Sequence, residues 1–332
     1  MKTLIVGIGA LGGVIAARLQ AGGAPAQLAT RDAASAAALK AAGLRVSGVG
    51  GAVAVDPPRV AALADYRGET FDLIVIATKA HAAIELGPSL ADHLAPGGTL
   101  LPIQNGGVPQ MLAQRLGNER VLGGLSNLGA TMAATGVYEQ RNAGHLLIGE
   151  FEGGTSERAQ RVRDELGRGV EVRVSANLRG AVWSKLLLNC SVTTLGAVAG
   201  CTMRTYIATE PGREIFDRVY AETLRVALAS GAQPERMLVD PMPPPDSDRD
   251  AYAQWLDRIV ANYGDLKPSM LQDFERGRTT EIDFINGYVA DLARQIGTAS
   301  PLNAAITQTV HAIERGEAAP SPTLFEAILR AA

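Results

Sequence analysis

A lysine, an asparagine and a threonine recur at every fourth position of one apolar segment, as Lys185, Asn189 and Thr193. Residues four apart lie on one face of an α-helix, so the spacing predicts a narrow polar stripe on an otherwise apolar helix. A lysine in apolar surroundings has a lowered pKa and can donate a proton near neutral pH. The stripe therefore predicts proton-transfer chemistry. The alternative interpretation is the solvent face of an amphipathic helix.

A glutamate further along the chain is a natural partner for that lysine. Glu281 has helical spacing to the apolar residues Phe284, Ile285 and Tyr288. A carboxylate on an apolar face is costly unless it is paired, so we expect Glu281 and Lys185 to meet across a cleft. The alternative is a glutamate in the first turn of a helix, where the helix dipole favours negative charge.

Two more polar residues follow apolar runs that are typical of buried strands. Lys79 comes after the run 71–77, and Asn105 comes after the run 98–103. Such runs are typical of a parallel sheet, whose ligands bind beyond the carboxyl ends of the strands. A lysine there can steady a phosphate or an acid, and an asparagine amide can hold a carbonyl group. Either residue can also simply cap a turn.

The elements that must position these residues begin at the amino terminus with a strand, a glycine-rich turn and a helix. The strand is predicted at 3–6 and the helix at 10–21, and the turn between them carries the motif Gly7, Ile8, Gly9, Ala10, Leu11 and Gly12. Gly7 permits a tight turn, Gly9 lets backbone amides approach a pyrophosphate, and Gly12 lets the helix pack closely on its strand. Because the helix N-terminus then faces the diphosphate, the segment predicts dinucleotide binding.

The end of the second predicted strand bears on which dinucleotide is bound. A strand is predicted at 26–29 and a helix at 33–42, with Arg31 and Asp32 between them. An acidic residue there usually accepts the ribose hydroxyls of NAD, whereas an arginine can pair with the additional phosphate of NADP. Arg31 comes first, so the residues favour NADP, and Asp32 leaves NAD open.

The order of patterns predicts an α/β chain of two domains. Strands alternating with helices imply a doubly wound parallel sheet, followed by antiparallel strands between 121 and 150. The pattern is helical from about Leu178 onward. We expect a Rossmann-type NADP-binding domain at 1–176 and an all-helical substrate and catalytic domain at 177–332. Within the latter, the Pro-rich segment 241–248 predicts a loop, either a cover over a site or a surface insertion.

Composition argues against several classes of function. The 332 residues carry a net charge of -3 with scattered basic residues, so no nucleic-acid partner is expected. The four histidines lack metal-ligand spacing, and the two cysteines form no Cys-x-x-Cys pair, so we expect no metal and a reducing, cytoplasmic compartment. The longest apolar segment, 186–200, is interrupted by polar residues and is expected to fall short of a membrane span.

Taken together, these segments resemble the ketopantoate reductases, also called 2-dehydropantoate 2-reductases, over almost the whole chain. Besides the glycine motif, the resemblance rests on Thr78-Lys79-Ala80, Gln104-Asn105-Gly106, Trp183-Ser184-Lys185-Leu186 with Asn189, Lys267 to Asp273, and Arg278 to Asp283 followed by Asn286-Gly287. It implies a Rossmann domain joined to a helical domain of the 6-phosphogluconate dehydrogenase C-terminal type. It also implies NADPH-dependent reduction of a branched 2-oxo acid, on the pathway to pantothenate and coenzyme A.

The resemblance also implies roles for individual residues. By matching position, Lys185 would be the general acid, and Glu281 would bind the substrate and orient that lysine. Asn105 would lie between the nicotinamide and the substrate. Substrate binding would be completed by Asn189, Thr193 and Ser269. Cofactor binding would involve the motif Gly7 to Gly12 together with Arg31, Lys79, Asn105 and Ala130.

One position departs from the family pattern. Pantoate-forming members commonly have a second asparagine one helical turn after Asn189, where this chain has Thr193. A threonine hydroxyl can still bond a carboxylate, with a shorter reach, so the identity of the oxo acid is open. The alternatives are a reductase of a different 2-oxo acid on the same scaffold and a protein that senses NADPH without turnover. In each case we expect a monomer or a homodimer.

Overall fold

The computed structural model describes residues 1–24, 26–245 and 247–331. The chain divides into two compact units, Met1–Leu178 and Arg179–Ala332. Asp246, in the predicted Pro-rich loop, and Ala332, the last residue of the predicted helical domain, lie outside the described residues. The Rossmann-like amino-terminal half and the helical carboxyl-terminal half predicted from the sequence are confirmed.

The N-terminal unit is built on a five-stranded parallel sheet. From one edge to the other, its strands are β5 (Val60–Ala62), β2 (Gln27–Thr30), β1 (Thr3–Val6), β6 (Phe71–Ile76) and β7 (Leu94–Pro102). Every residue of β1 is buried, as expected for a central strand covered on both faces. The helices of this unit are α1 (Ala10–Ala21), α2 (Ala33–Ala42), α3 (Ala80–Ala91), α4 (Val108–Leu116) and α5 (Glu157–Leu166).

Two smaller sheets complete the N-terminal unit. One has the order β4 (Val53–Val55), β3 (Leu44–Gly48), β10 (Val137–Gln140) and β9 (Ala130–Ala134). The other has the order β12 (Val172–Val174), β11 (Leu146–Gly149) and β8 (Gly123–Ser126). Antiparallel pairs occur between 121 and 150 as predicted, but β10 and β11 each also pair in parallel with a strand distant in sequence.

The core of the N-terminal unit lies between its parallel sheet and α1. Ile5, Val75 and Leu101 from three strands and Ile15 and Leu19 from the helix have no solvent exposure. Burying an aliphatic side chain of this size contributes roughly 1.5–3 kcal/mol. This packing fixes the height of α1 over the sheet, and with it the turn that joins α1 to β1.

The second unit is helical in all the regular structure of its described residues. Its elements are α6 (Leu178–Leu188), a π turn (Asn189–Thr193), α7 (Thr194–Ala199), α8 (Met203–Tyr206), α9 (Glu210–Ala229), α10 (Arg249–Tyr263), α11 (Ser269–Glu275), a 3₁₀ turn (Ile282–Phe284), α12 (Asn286–Gln295), α13 (Pro301–Glu314) and α14 (Leu324–Ala331). Both tryptophans of the chain lie here. Trp183 packs against Tyr288 with ring centroids 6.0 Å apart, and Trp255 makes an edge contact with Tyr220 at 5.0 Å.

The helix that carries the predicted polar stripe is longer than its sequence pattern suggests. From α6 through the π turn to α7 it is continuous over 22 residues, Leu178–Ala199, and by length and composition it is apolar enough to cross a membrane. The prediction that this segment is too short to span a membrane considered only residues from Leu186 onward. It therefore left out the part of the helix before Leu186. In the structure 89% of its most apolar window is buried. Such burial is typical of a core helix.

The Pro-rich segment is irregular over its described residues, as predicted. It is nevertheless anchored, because the Tyr220 hydroxyl donates to the Pro241 carbonyl at 3.0 Å and the Trp255 indole donates to the Asp240 carbonyl at 2.8 Å. Helix α10 then begins after Asp248, whose side chain accepts a hydrogen bond from the Ala251 amide. The segment is thus held by contacts to α9 and α10 within its own unit.

Candidate active site

The glycine motif forms the turn between β1 and α1, and each of its glycines meets a different constraint. Gly7 has a φ of +93°, and a Cβ added there would lie 2.6 Å from Thr78. A Cβ added at Gly12 would lie 2.0 Å from the Gly7 carbonyl oxygen. At Gly9 an added Cβ would meet nothing within 4 Å. Gly7 and Gly12 therefore shape the turn, whereas Gly9 leaves open space beside it.

A tyrosine that the sequence analysis did not single out supports this turn. The Tyr138 hydroxyl donates to the Ile8 carbonyl at 3.3 Å, and its ring lies where a Cβ on Gly13 would be, 2.2 Å away. Burial raises the pKa of Tyr138 to about 12, so the hydroxyl keeps its proton. The position of this ring explains why residue 13 is a glycine, since any side chain there would collide with it.

Gln104 organises the strand ends that carry Lys79 and Asn105. It is 6% exposed, and its side-chain amide donates to the carbonyls of Ile76 and Thr78, at 2.9 Å in both cases. These bonds tie the start of the loop after β7 to the end of β6. Lys79 is exposed and occupies the N-cap position of α3, and Asn105 is partly buried. The sequence signal available for this role was the position of Gln104, directly before Asn105.

A cleft of about 830 Å³ opens beside the glycine turn. Of the predicted cofactor-binding residues, Gly7, Ile8 and Arg31 line it, together with Thr78 and Tyr138. Its volume is within the usual range for ligand sites. The remaining predicted cofactor-binding residues are described but lie outside this lining: Gly9, Ala10, Leu11, Gly12, Lys79, Asn105 and Ala130.

Arg31 and Asp32 form an ion pair at the rim of this cleft. The Arg31 Nε lies 3.0 Å from Asp32 Oδ2, and the arginine side chain is 89% exposed. Asp32 is the N-cap of α2 and accepts a 2.7 Å hydrogen bond from the Ser35 amide. That bond, together with Arg31, lowers the pKa of Asp32 to about 2. The guanidinium is therefore reachable by an anion, with a carboxylate fixed beside it.

In the second unit, Lys185 lies in the apolar helix α6. It is partly buried, and desolvation by the surrounding protein lowers the pKa of its ammonium group to about 8. Its helical neighbours Ser184 and Leu186 are 5% and 1% exposed. A charged amine in such surroundings loses its proton more readily than a solvated lysine does. The predicted lowering of the Lys185 pKa is thus present in the structure.

The prediction of one regular α-helix from Lys185 to Thr193 is wrong in its second turn. Helix α6 ends at Leu188, and Asn189–Thr193 form a π turn. Asn189 is 8% exposed. The Thr193 hydroxyl donates to the Asn189 carbonyl at 3.1 Å. Wide turns of this kind are rare and occur frequently at functional sites.

The prediction that Glu281 lies on a helix is also wrong. Glu281 is the N-cap of a 3₁₀ turn, and α12 begins only at Asn286. The segment before α12 is held to α13 instead, because a His311 ring nitrogen lies 2.8 Å from Asp283 and the Thr280 amide donates to Glu314 at 2.7 Å. The other His311 ring nitrogen lies 2.9 Å from Glu314 on the same helix. The pattern of apolar residues around Glu281 reflects contacts of an irregular segment rather than a helix face.

Ser269, the remaining predicted substrate residue, is exposed and is the first residue of α11. Lys185, Asn189, Thr193, Ser269 and Glu281 therefore all belong to the helical unit. Gly7, Ile8 and Arg31 gather in the N-terminal unit.

Comparison with known proteins matches both halves of the chain to one family. The family described as ketopantoate reductase PanE/ApbA matches residues 3–153, and its C-terminal counterpart matches residues 177–314. The 2-dehydropantoate 2-reductase of Pyrococcus abyssi is 30% identical over 91% of this chain and 94% of its own length.

Solved structures of similar proteins agree. A PanE/ApbA family ketopantoate reductase from Ralstonia eutropha has a TM-score of 0.79 at 25% identity, covering 96% of this chain and 99% of the other. A D-mandelate dehydrogenase solved with NADH and anilino(oxo)acetate shares the fold, with a TM-score of 0.78 at 22% identity over 95% of this chain and 99% of its own. On these matches, the chain belongs to the ketopantoate reductase family.

Proposed function

We propose that this protein is an NADPH-dependent reductase that converts 2-dehydropantoate to pantoate. The observation that carries the proposal is Lys185, a lysine whose pKa is lowered to about 8 within the helical half of a ketopantoate reductase chain. A group with a pKa near the working pH is suited to proton donation. The family membership and the relatives named 2-dehydropantoate 2-reductase support the substrate.

The N-terminal unit fits a dinucleotide. Gly9 leaves room beside the turn for a diphosphate, and no side chain caps the N-terminus of α1, a helix end that suits an anion. The Thr78 hydroxyl is buried at the cleft and has no hydrogen-bond partner among the described residues, so it is available to a ligand. Arg31 at the rim would hold the 2′-phosphate that distinguishes NADPH from NADH. Lys79, Asn105 and Ala130 complete the proposed cofactor site.

The proposed mechanism follows from where charge develops. A nicotinamide dinucleotide, when bound, would supply the hydride that the ketone carbon accepts, and negative charge would then develop on the ketone oxygen. The Lys185 ammonium stabilises that charge more in the transition state than in the ground state and gives the oxygen its proton. Glu281 orients the lysine and binds the substrate hydroxyl. Asn105, Asn189, Thr193 and Ser269 hold the 2-oxo acid in place.

A second candidate substrate is favoured by Thr193. Its hydroxyl is already engaged with the Asn189 carbonyl, and it is shorter than the asparagine that the family pattern leads us to expect. A smaller polar group leaves more space at this position, which suits a 2-oxo acid of a different shape. The alternative is therefore an NADPH-dependent reductase of another 2-oxo acid, with the same dependence on Lys185.

The test is NADPH oxidation, followed by absorbance, with 2-dehydropantoate and a panel of other 2-oxo acids, each repeated with NADH. We expect the highest kcat/KM with 2-dehydropantoate and NADPH. A higher value for another oxo acid selects the alternative substrate. Tight NADPH binding without turnover of any acid would instead identify a protein that only senses the nucleotide.

The proposal places the enzyme on the route to pantothenate and coenzyme A, in the cytoplasm, as a monomer or a homodimer. Its partners would then be the dinucleotide, the 2-oxo acid and, in a homodimer, a second copy of the chain. Growth of a pantoate auxotroph on expression of the chain tests this placement. Rescue by the wild type and its loss with Lys185→Ala are the expected results.

A further inference from the structure

The π turn next to Lys185 is held by side chains from two other helices. The Tyr206 hydroxyl, at the end of α8, donates to the Ser191 carbonyl at 2.8 Å. The Asn286 amide, at the start of α12, donates to the Cys190 carbonyl at 3.5 Å. Two consecutive carbonyls of the turn therefore have donors from outside their own helix. Such donors stabilise a wide turn over a regular one.

The Asn286 amide is oriented by a buried chain of hydrogen bonds. Glu222, 4% exposed, accepts from the Asn303 amide nitrogen at 2.9 Å. Asn303 in turn presents its oxygen to the Asn286 amide nitrogen at 2.9 Å, and both asparagines have no solvent exposure. Because an ionised carboxylate only accepts hydrogen bonds, it fixes which way Asn303 faces, and Asn303 fixes Asn286. The chain thus aims an N–H group at the Cys190 carbonyl.

Tyr206 is equally constrained. Its ring is 1% exposed and meets Phe325 edge-on at 5.6 Å. Burial raises the pKa of Tyr206 well above its ordinary value, so its hydroxyl remains a donor throughout the working pH range. The ring packing fixes the position of the hydroxyl, and the hydroxyl fixes the Ser191 carbonyl.

The π turn changes which residues lie over Lys185. In a regular α-helix a residue eight positions along has rotated by about 80° around the axis. A π turn takes up one additional residue, equivalent to about 100°, so the offset falls to about 20° in the opposite direction. Thr193, at the end of the turn, therefore owes its angular position relative to Lys185 to the turn.

We propose that Tyr206 and Asn286 are positioning residues that hold this turn open and so set the fit of the 2-oxo acid between Lys185 and Thr193. The inference rests on the proposed function, because that function makes the Lys185 face the substrate side. Lys185 precedes the turn, whereas Asn189 and Thr193 lie in it. We call Tyr206 and Asn286 together the clamp. Loss of the clamp therefore weakens substrate binding and leaves the pKa of Lys185 unchanged.

The test is Tyr206→Phe, with Tyr220→Phe as the matched control. Tyr220 is also buried in the helical unit, at 2% exposure, and its hydroxyl also donates to a backbone carbonyl, that of Pro241, at 3.0 Å. We expect Tyr206→Phe to raise the KM for the preferred 2-oxo acid about ten-fold, an effect of the size of one lost hydrogen bond. The kcat, the NADPH Kd and the limb of the pH profile near 8 remain close to wild type.

General loosening of the fold gives a different result. It lowers the fraction of active enzyme and hence kcat, with KM unchanged, and it does so in both variants. An unchanged KM in Tyr206→Phe, or an equal rise in Tyr220→Phe, overturns the proposal. Should Tyr206→Phe fail to fold, Asn286→Ala removes the second donor, with a KM rise expected again and an unchanged KM as the contrary result.

Failure of the proposed function is distinguishable from failure of this inference. Wild-type protein that turns over no 2-oxo acid refutes the function alone. Amide hydrogen exchange over residues 189–196 still tests the clamp in that case. Faster exchange in Tyr206→Phe than in Tyr220→Phe supports it, and equal exchange refutes it.

Discussion

The two units position their candidate site residues by different means. In the N-terminal unit the site is mainly backbone, shaped by a glycine turn on a buried parallel sheet. In the helical unit it consists of side chains on one apolar helix, whose π turn is held by buried polar groups from other helices. The backbone geometry of the glycine turn depends on residues that are close together in the sequence. A network of buried side chains depends on residues that are far apart in the sequence. The two units therefore differ in which substitutions they tolerate.

The largest effect is expected from Lys185→Met, which keeps the length and packing of the side chain but removes the amine. Turnover should fall by about 10² to 10⁴, the usual contribution of a general acid. NADPH Kd, measured by fluorescence titration, should stay within about two-fold because the proposed dinucleotide site is in the other unit. Loss of NADPH binding together with turnover would contradict the division of roles.

The same lysine gives a pH dependence. Reduction requires the protonated amine, so kcat/KM should be level at lower pH and decline as pH rises through about 8. A decline that persists unchanged in Lys185→Met would assign it to another group. The measurement is kcat/KM for NADPH oxidation between about pH 6 and pH 10, with protein stability checked at each pH.

Two glycine variants test the backbone half, and they should separate stability from binding. Gly12→Ala places a Cβ 2.0 Å from a backbone oxygen, which should cost about 3 kcal/mol of unfolding free energy. Gly9→Ala meets no atom within 4 Å, so the fold should be unaffected while the NADPH Kd rises by about ten-fold or more. Chemical denaturation and ligand titration give the two quantities. Normal NADPH affinity in Gly9→Ala would refute the pyrophosphate assignment.

A fourth test addresses the buried network of the helical half. Asn303→Ala leaves the Glu222 carboxylate without one donor and Asn286 without its acceptor. Because these groups are buried, we expect a loss of about 2–3 kcal/mol. Asn262→Ala is the control, since its amide makes a single bond on the exposed face of α10. Equal stabilities of the two variants would show that the network contributes little.

The smallest effect is expected from His311, which joins the segment before α12 to α13. Partial burial disfavours its charged form, but hydrogen bonds and ion pairs with Glu314 and Asp283 outweigh that and raise the pKa of His311 above 6.5. Its contribution to stability is therefore complete below about pH 6.5 and is lost as pH rises through the raised pKa. Wild type should lose a few degrees of Tm over that range relative to His311→Gln. Parallel Tm curves would refute this contribution of His311 to stability.

The same contrast explains what the sequence reveals and what it hides. Helices α1 and α2 occur where the pattern predicts them, because glycine spacing and apolar periodicity are local signals. Strand β7 begins at Leu94, earlier than predicted, because its pairing with β6 continues through a register shift. The face of Lys185 is recognisable, but the π turn is not, since the contacts from Tyr206 and Asn286 come from remote segments.

Glu281 also shows that a local sequence pattern does not reveal contacts from remote segments. Its spacing to apolar residues imitates a helix, yet the chain turns irregularly there and α12 begins at Asn286. Periodicity cannot distinguish a helix face from a short segment packed by distant residues such as His311. The family resemblance assigned the residue a role where periodicity assigned it the wrong secondary structure.

The placement of both indole rings in the helical half gives the protein a built-in optical reporter. Emission excited at the red edge of the protein absorption band comes from Trp183 and Trp255 alone, so it follows the melting of one unit while circular dichroism follows both. Non-coincident curves from the two probes would show that the halves denature separately. Trp183 is also only two positions from Lys185, so its quenching offers a direct titration signal for the oxo acid without labelling.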